Sequence, residues 1–196
     1  MIKTQNSQFN RNLLIGMALL FVLAMVLFAY PMVAAESGIT TWWMLPLNLL
    51  ILSIPLLLVV GAIYVLIRGW HERSTLGSIS PRLAKVIHWA PRIAAIVIIF
   101  FISLFSLDVF EMGVPFPQVL GAFLMHNIPS LILLLLLVLA WKRPAIGFVS
   151  FLIAGILFAA FFVRELDDLP NLLLFVLPIL LVAALFYADW KALQTT

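Results

Sequence analysis

Apolar residues dominate the chain in long runs, and polar positions fall in the short gaps between them. The runs occupy approximately 13–35, 42–67, 91–110, 118–141, 145–163 and 171–190. Each approaches or exceeds the ~20 residues that an α-helix needs to cross ~30 Å of hydrocarbon. Short alternating segments of the kind that build a membrane β-barrel are not visible. The pattern predicts an all-α fold, a polytopic transmembrane helical bundle of six spans. The first run ends in Val33-Ala34-Ala35, which resembles a signal-peptidase site. It is longer than the roughly 7–15 apolar residues of a signal peptide, so it is read as a retained helix.

The one substantial polar stretch spans residues 68–92 and divides the chain. Ser80-Pro81 inside it is a helix start, an N-cap residue followed by proline in the first turn. Leu83, Val86, Ile87 and Ala90 then recur at helical spacing, with Arg82, Lys85 and His88 largely on the other side. This predicts a short amphipathic helix lying on the cytoplasmic membrane surface. Arg82, Lys85, His88 and Arg92 form its interfacial basic set, flanked by Trp70 and Trp89. The expected organisation is a two-helix hairpin over 1–70, a basic amphipathic linker over 71–90, and a four-helix transmembrane domain over 91–196. Trp42 and Trp43 sit where an aromatic belt anchors the second helix, and Pro55 marks a kink within it.

Composition agrees with this reading. The 196 residues are 65% apolar and 10% charged, more apolar surface than a soluble domain of that size can hide. The formal charge of +3 reflects topology rather than nucleic-acid binding. Lys3, Arg11, Arg68, Arg73, Arg82, Lys85, Arg92, Lys142, Arg143 and Lys191 all fall on the side of the termini, and Arg164 alone falls on the other. Glu36, Glu111, Glu165, Asp167 and Asp168 lie in the opposite turns. The positive-inside rule therefore predicts an integral plasma (inner) membrane protein with both termini cytoplasmic.

Few residues at membrane depth carry chemistry, and most lie in the hairpin 91–130. Asp108 stands 16 residues after Arg92, about 24 Å along a helix and near the outer edge of the hydrocarbon. An ionisable group within a span is a candidate functional site, although near the edge it can also be hydrated. His126 and Asn127 lie about 12–14 Å into the next helix, and Ser130 shares the face of His126. Pro129 frees the carbonyl of Met125 for a local polar partner. Asp108, His126, Asn127 and Ser130 form the candidate intramembrane polar site. It is either an interhelical hydrogen-bond clamp or, if Asp108 and His126 pair across a depth difference of roughly 6–8 Å, a proton-sharing network.

Cofactor and enzyme signatures are missing from the sequence. There is no Cys, hence no disulfide or thiolate ligand. His126 is the one histidine at membrane depth, which leaves a haem without a second histidine ligand. No HExxH, GxSxG or phosphate-binding glycine loop occurs. A solvated turn accounts for Glu165 to Asp168 better than a cation site does. No metal, no cofactor and no enzymatic activity are expected.

Several segments nevertheless resemble a known family. Arg92-Ile93 opens a helix that closes with Ser103-Leu104-Phe105-Ser106-Leu107-Asp108-Val109-Phe110. His126-Asn127-Ile128-Pro129-Ser130-Leu131 follows, then Trp141-Lys142 and Gly147. The pattern resembles an uncharacterised family of small prokaryotic membrane proteins carrying a domain of unknown function, and it covers about residues 88–190. The resemblance implies a four-helix bundle and names no activity. The expected function is a non-enzymatic structural or accessory membrane subunit, embedded in the lipid bilayer and packed against itself or a membrane-protein partner. The alternative is a small-solute, ion or proton transporter or channel using Asp108 and His126.

Overall fold

The computed structural model describes residues 2–35, 45–111, 113, 115–162 and 172–194. Six helices are long and apolar enough to cross a membrane, so the all-α bundle expected from the hydrophobic runs is present. They are α1 (Ile2–Ala35), α2 (Leu45–Leu76), α3 (Pro81–Leu104), α4 (Phe116–Ala140), α5 (Pro144–Phe162) and α6 (Leu177–Leu193). The acidic turn at 164–168 and the Trp42-Trp43 pair lie outside the described residues.

Local chemistry sets where the helices stop. Gly77 takes φ +70° immediately after α2, and its N–H bonds the carbonyl of Arg73, closing the helix with the left-handed residue that glycine tolerates best. Ser80 and Pro81 then open α3, as the sequence predicts. The serine hydroxyl makes no cap hydrogen bond; the Ser80 N–H instead donates to Glu72 Oε2 at 3.0 Å. Glu72 is held from its other side by Arg68, whose Nη2 lies 3.0 Å away.

Two further elements differ from expectation. Residues 81–90 are not a separate amphipathic surface helix; they are the first turns of α3, which continues through Pro91. The expected linker at 71–90 thus divides between the end of α2 and the start of α3, leaving 77–80 as the connection. Proline at position 91 has no N–H for the carbonyl one turn back, yet the helix does not break. The Arg92 guanidinium adds a donor to the His88 carbonyl at that turn. At its other end α3 stops at Leu104, and Phe105–Glu111 tightens into a 3-10 turn. Ser103 Oγ bonds the Ile99 carbonyl at 2.9 Å and Ser106 Oγ bonds that of Ser103 at 2.6 Å, a local competition that favours such tightening.

The core is shared by α2, α3, α4, α5 and α6. Ile98, Phe101, Leu133, Phe151, Ile179, Val182 and Phe186 are essentially inaccessible, and Leu58 and Ala62 of α2 join the same cluster. The second helix therefore belongs to the packed bundle as well as to the N-terminal hairpin. Helix α1 lies outside, against α2, with Phe9 stacked on His71 at a ring separation of 3.7 Å. Helices α5 and α6 share the most extensive contact, and glycine lets them come close. A Cβ on Gly147 would stand 2.6 Å from the Phe186 ring, and one on Gly155 would collide with Leu180. Small residues at such crossings are how membrane helices gain dispersion contacts. A π-helical turn, Leu172–Val176, precedes α6 and widens the backbone before Pro178, which cannot donate to the carbonyl of Leu174.

Candidate functional site

Besides the Arg68–Glu72–Ser80 contact, polar side chains gather at two places, one toward each end of the bundle. The first is the set that the sequence singles out. Asp108 falls in the 3-10 turn rather than in an α-helix, and it is exposed. With a longer rise per residue from 105 onward, its distance from Arg92 grows to about 26 Å, which moves it further toward the outer edge. His126 is also exposed. Its Nδ1 lies 2.9 Å from the carbonyl of Ala122, which as an acceptor fixes the proton on Nδ1 and leaves Nε2 with a lone pair when the ring is neutral. Asn127 Nδ2 donates to the Phe123 carbonyl at 3.0 Å. Ser130 Oγ donates to the Asn127 carbonyl at 2.8 Å and lies 3.2 Å from Asn127 Oδ1.

These bonds correct two expectations. All of them stay within α4, so the set is not an interhelical clamp. Proline at 129 withholds its N–H from the Met125 carbonyl, yet the side-chain bonds around it go to the carbonyls of Ala122, Phe123 and Asn127 within the same helix, not to Met125 as the sequence suggests and not to a neighbour. Nor do Asp108 and His126 share a hydrogen bond. What joins the 3-10 turn to α4 is apolar: Phe110 packs on Phe123 with ring centroids 5.6 Å apart.

His126 holds an unusual position. Val119, His126, Ser130, Leu133, Leu137 and Ala140 recur at seven-, four- and three-residue spacing and form one stripe along α4. Every member except His126 is buried. The histidine thus lies on the inward stripe at a level where the bundle leaves it uncovered.

The second cluster lies at the opposite end and was not foreseen. Arg92, expected at a membrane interface, is 2% exposed and Asp189 is 1% exposed. Arg92 Nη1 meets Asp189 Oδ2 at 2.8 Å, and His88 Nδ1 meets the other carboxylate oxygen at 3.2 Å. Arg92 Nη2 and Nε also donate to the Trp141 carbonyl at 2.8 and 3.3 Å, and the guanidinium lies over the Phe186 ring, 5.8 Å from its centroid. One side chain of α3 therefore binds the end of α4 and the last turns of α6. Arginine suits this place because its planar fork serves a carboxylate and carbonyls together. His88 remains partly exposed beside it, whereas the sequence groups both with Arg82 and Lys85 on an interfacial face. A signal for Asp189 exists in the sequence: an acid within the last apolar run, at the same basic end as Arg92. Burying either charge without the other is costly, so the two imply each other.

Among the described residues, no buried side-chain nitrogen or oxygen lacks a hydrogen-bond partner, and no three His, Asp or Glu side chains gather as metal ligands would. Chemically the Arg92–Asp189 cluster is a closed, saturated clasp, while the His126 region is open.

A family model described as Domain of unknown function (DUF7670) matches residues 80–195, more than half of the chain. The chain belongs to this family. The DUF7670 region begins at the N-cap of α3 and takes in α3, α4, α5 and α6. It therefore holds both partners of the Arg92–Asp189 clasp and the whole α4 stripe, with α1 and α2 ahead of it. No curated protein and no solved structure matches the chain.

Proposed function

We propose that this DUF7670 protein is a non-enzymatic structural or accessory subunit of a plasma membrane, with both termini in the cytoplasm, and that it packs through the outer half of α4 against a second copy of itself. The observation that carries this reading is His126, exposed on a helix stripe whose other members are buried. In a bilayer no water covers such a ring, and its free Nε2 calls for a donor. A transmembrane helix seated on the stripe supplies both cover and partner. A second copy fits because a two-fold pair lays the same α4 stripe of each copy over the other's His126 at one depth, the self-complementary arrangement an isologous contact requires. Orientation rests on the ten-to-one division of Lys and Arg given above.

The chain has no cysteine, so engineered disulfides report this contact cleanly. Met125, 67% exposed beside His126, is the probe position, and Val149 on α5 is the control. In membranes oxidised with copper phenanthroline, Met125→Cys is expected to form a disulfide-linked dimer and Val149→Cys to remain monomeric. Equal behaviour of the two positions, or no dimer at Met125→Cys, overturns the reading. Adding His126→Leu to Met125→Cys is expected to weaken dimer formation by up to about fivefold, the effect of an interhelical hydrogen bond of ~1 kcal/mol or less.

The same opening at His126 also favours a second reading, a transporter or channel with a polar path past Asp108 and His126. Proteoliposomes loaded with a pH-sensitive dye decide between the two. Proton flux in the wild type that is lost in a folded Asp108→Asn variant establishes the transporter and removes the structural role.

A further inference from the structure

We propose that the groove between α2, the start of α3 and α6 is a binding site for an anionic glycerophospholipid, with its phosphate at Arg73 and Lys191 and one acyl chain along the groove floor. The groove encloses about 670 Å³, within the usual range of roughly 300–1,000 Å³ for small-molecule sites. Its floor is apolar, built from residues such as Val65 and Ile87. Among the described residues, the charged side chains that line it are Arg73 and Lys191, from two different helices.

Each cation is placed by its own helix. Arg73 stands in the last turn of α2, where the helix dipole favours a positive charge. Glu72, its neighbour in sequence, is engaged by Arg68 and the Ser80 N–H. Lys191 ends α6, its ammonium 4.9 Å from the Trp190 ring centroid, 5.7 Å from that of Tyr187, and 3.3 Å from Gln194 Oε1. Trp70, 79% exposed, and Tyr187 border the groove at this same end. Aromatic rings with a polar edge mark the headgroup level of a bilayer. The arrangement joins two cations at headgroup level to an apolar trough running from them toward the membrane interior. That combination is complementary to a phosphate diester carrying an acyl chain, and basic recesses between membrane helices commonly hold such lipids.

Native mass spectrometry of the full-length protein in detergent, titrated with an equimolar mixture of dioleoyl phosphatidylglycerol and dioleoyl phosphatidylcholine, tests the site. The wild type is expected to retain phosphatidylglycerol preferentially, and neutralising each cation is expected to reduce the preference by about fivefold, converting ~1 kcal/mol per cation. Arg73→Gln with Lys191→Gln is then expected to bind the two lipids nearly equally, while the charge-preserving Arg73→Lys with Lys191→Arg keeps most of the preference. Location is read from phosphatidylglycerol brominated on its acyl chain, which is expected to quench a fluorescence component that disappears in Trp70→Phe. Equal retention of the two lipids by the wild type overturns the proposal. So does an unchanged preference in the Gln variant, quenching unaffected by Trp70→Phe, or displacement of the lipid by millimolar inorganic phosphate.

Discussion

Arg92 and Asp189 show how much one pair of side chains can decide in an apolar bundle. Each is nearly inaccessible; they meet through one bond, and the Trp141 and His88 carbonyls and the His88 ring take up the rest of their hydrogen-bonding capacity. Removing one partner leaves a buried charge unpaired, at a cost of about 3–5 kcal/mol. Arg92→Met and Asp189→Leu are each expected to lower stability by that amount, measured by steric trapping or thermal unfolding in bicelles. The double variant is expected to recover most of the loss, because two apolar side chains then replace a satisfied pair and the effects of contacting residues do not add. Additive losses in the double variant remove the clasp as the explanation. His126 is the converse case. It bonds only within its own helix, so His126→Leu is expected to leave the fold intact and to act on association.

The helices owe their packing to small residues and their ends to glycine and proline. The α5–α6 crossing depends on Gly147 and Gly155, which bring α5 backbone against Phe186 and Leu180. Phe186 is fully buried, so its ring has little room to retreat. Gly147→Val is expected to destabilise the bundle by about 1–3 kcal/mol through overpacking. A lowered midpoint in thermal unfolding, without loss of helical circular dichroism at low temperature, is the expected readout; an unchanged midpoint means that the crossing tolerates separation. Proline behaves differently here than in soluble helices. Pro91 and Pro129 lie inside α3 and α4 without breaking them, and nearby polar side chains bond carbonyls of the local turn in both.

Across the whole molecule, charge is segregated. In a six-span arrangement the 77–80 connection and the Lys142-Arg143 turn share the basic side, whereas Asp108 and Gly113 lie on the other. A membrane-impermeant maleimide is expected to label Pro115→Cys in intact cells and Ser74→Cys only after permeabilisation. The reverse pattern inverts the orientation and places the groove of Arg73 and Lys191 in the outer leaflet. Helix α1 contributes to the span count, but no part of its most apolar window is buried, so it adds little to the shared core.

The sequence by itself determined the class, the six spans and the opening of α3 at Ser80-Pro81. These follow from run length, hydrophobicity and local backbone chemistry, which need no knowledge of neighbours. It also located Asp108, His126, Asn127 and Ser130 as polar groups in the hairpin. It misjudged their relations, because spacing along one helix says which residues share a stripe but not what covers that stripe. Only the tertiary structure decided that Arg92 turns inward to Asp189, 97 positions away, rather than outward with Arg82 and Lys85. A cation at a helix end satisfies the positive-inside pattern whether it faces water or a buried carboxylate. The choice depends on which helix packs beside it, and that is fixed by close crossings such as Gly147 on Phe186, not by hydropathy.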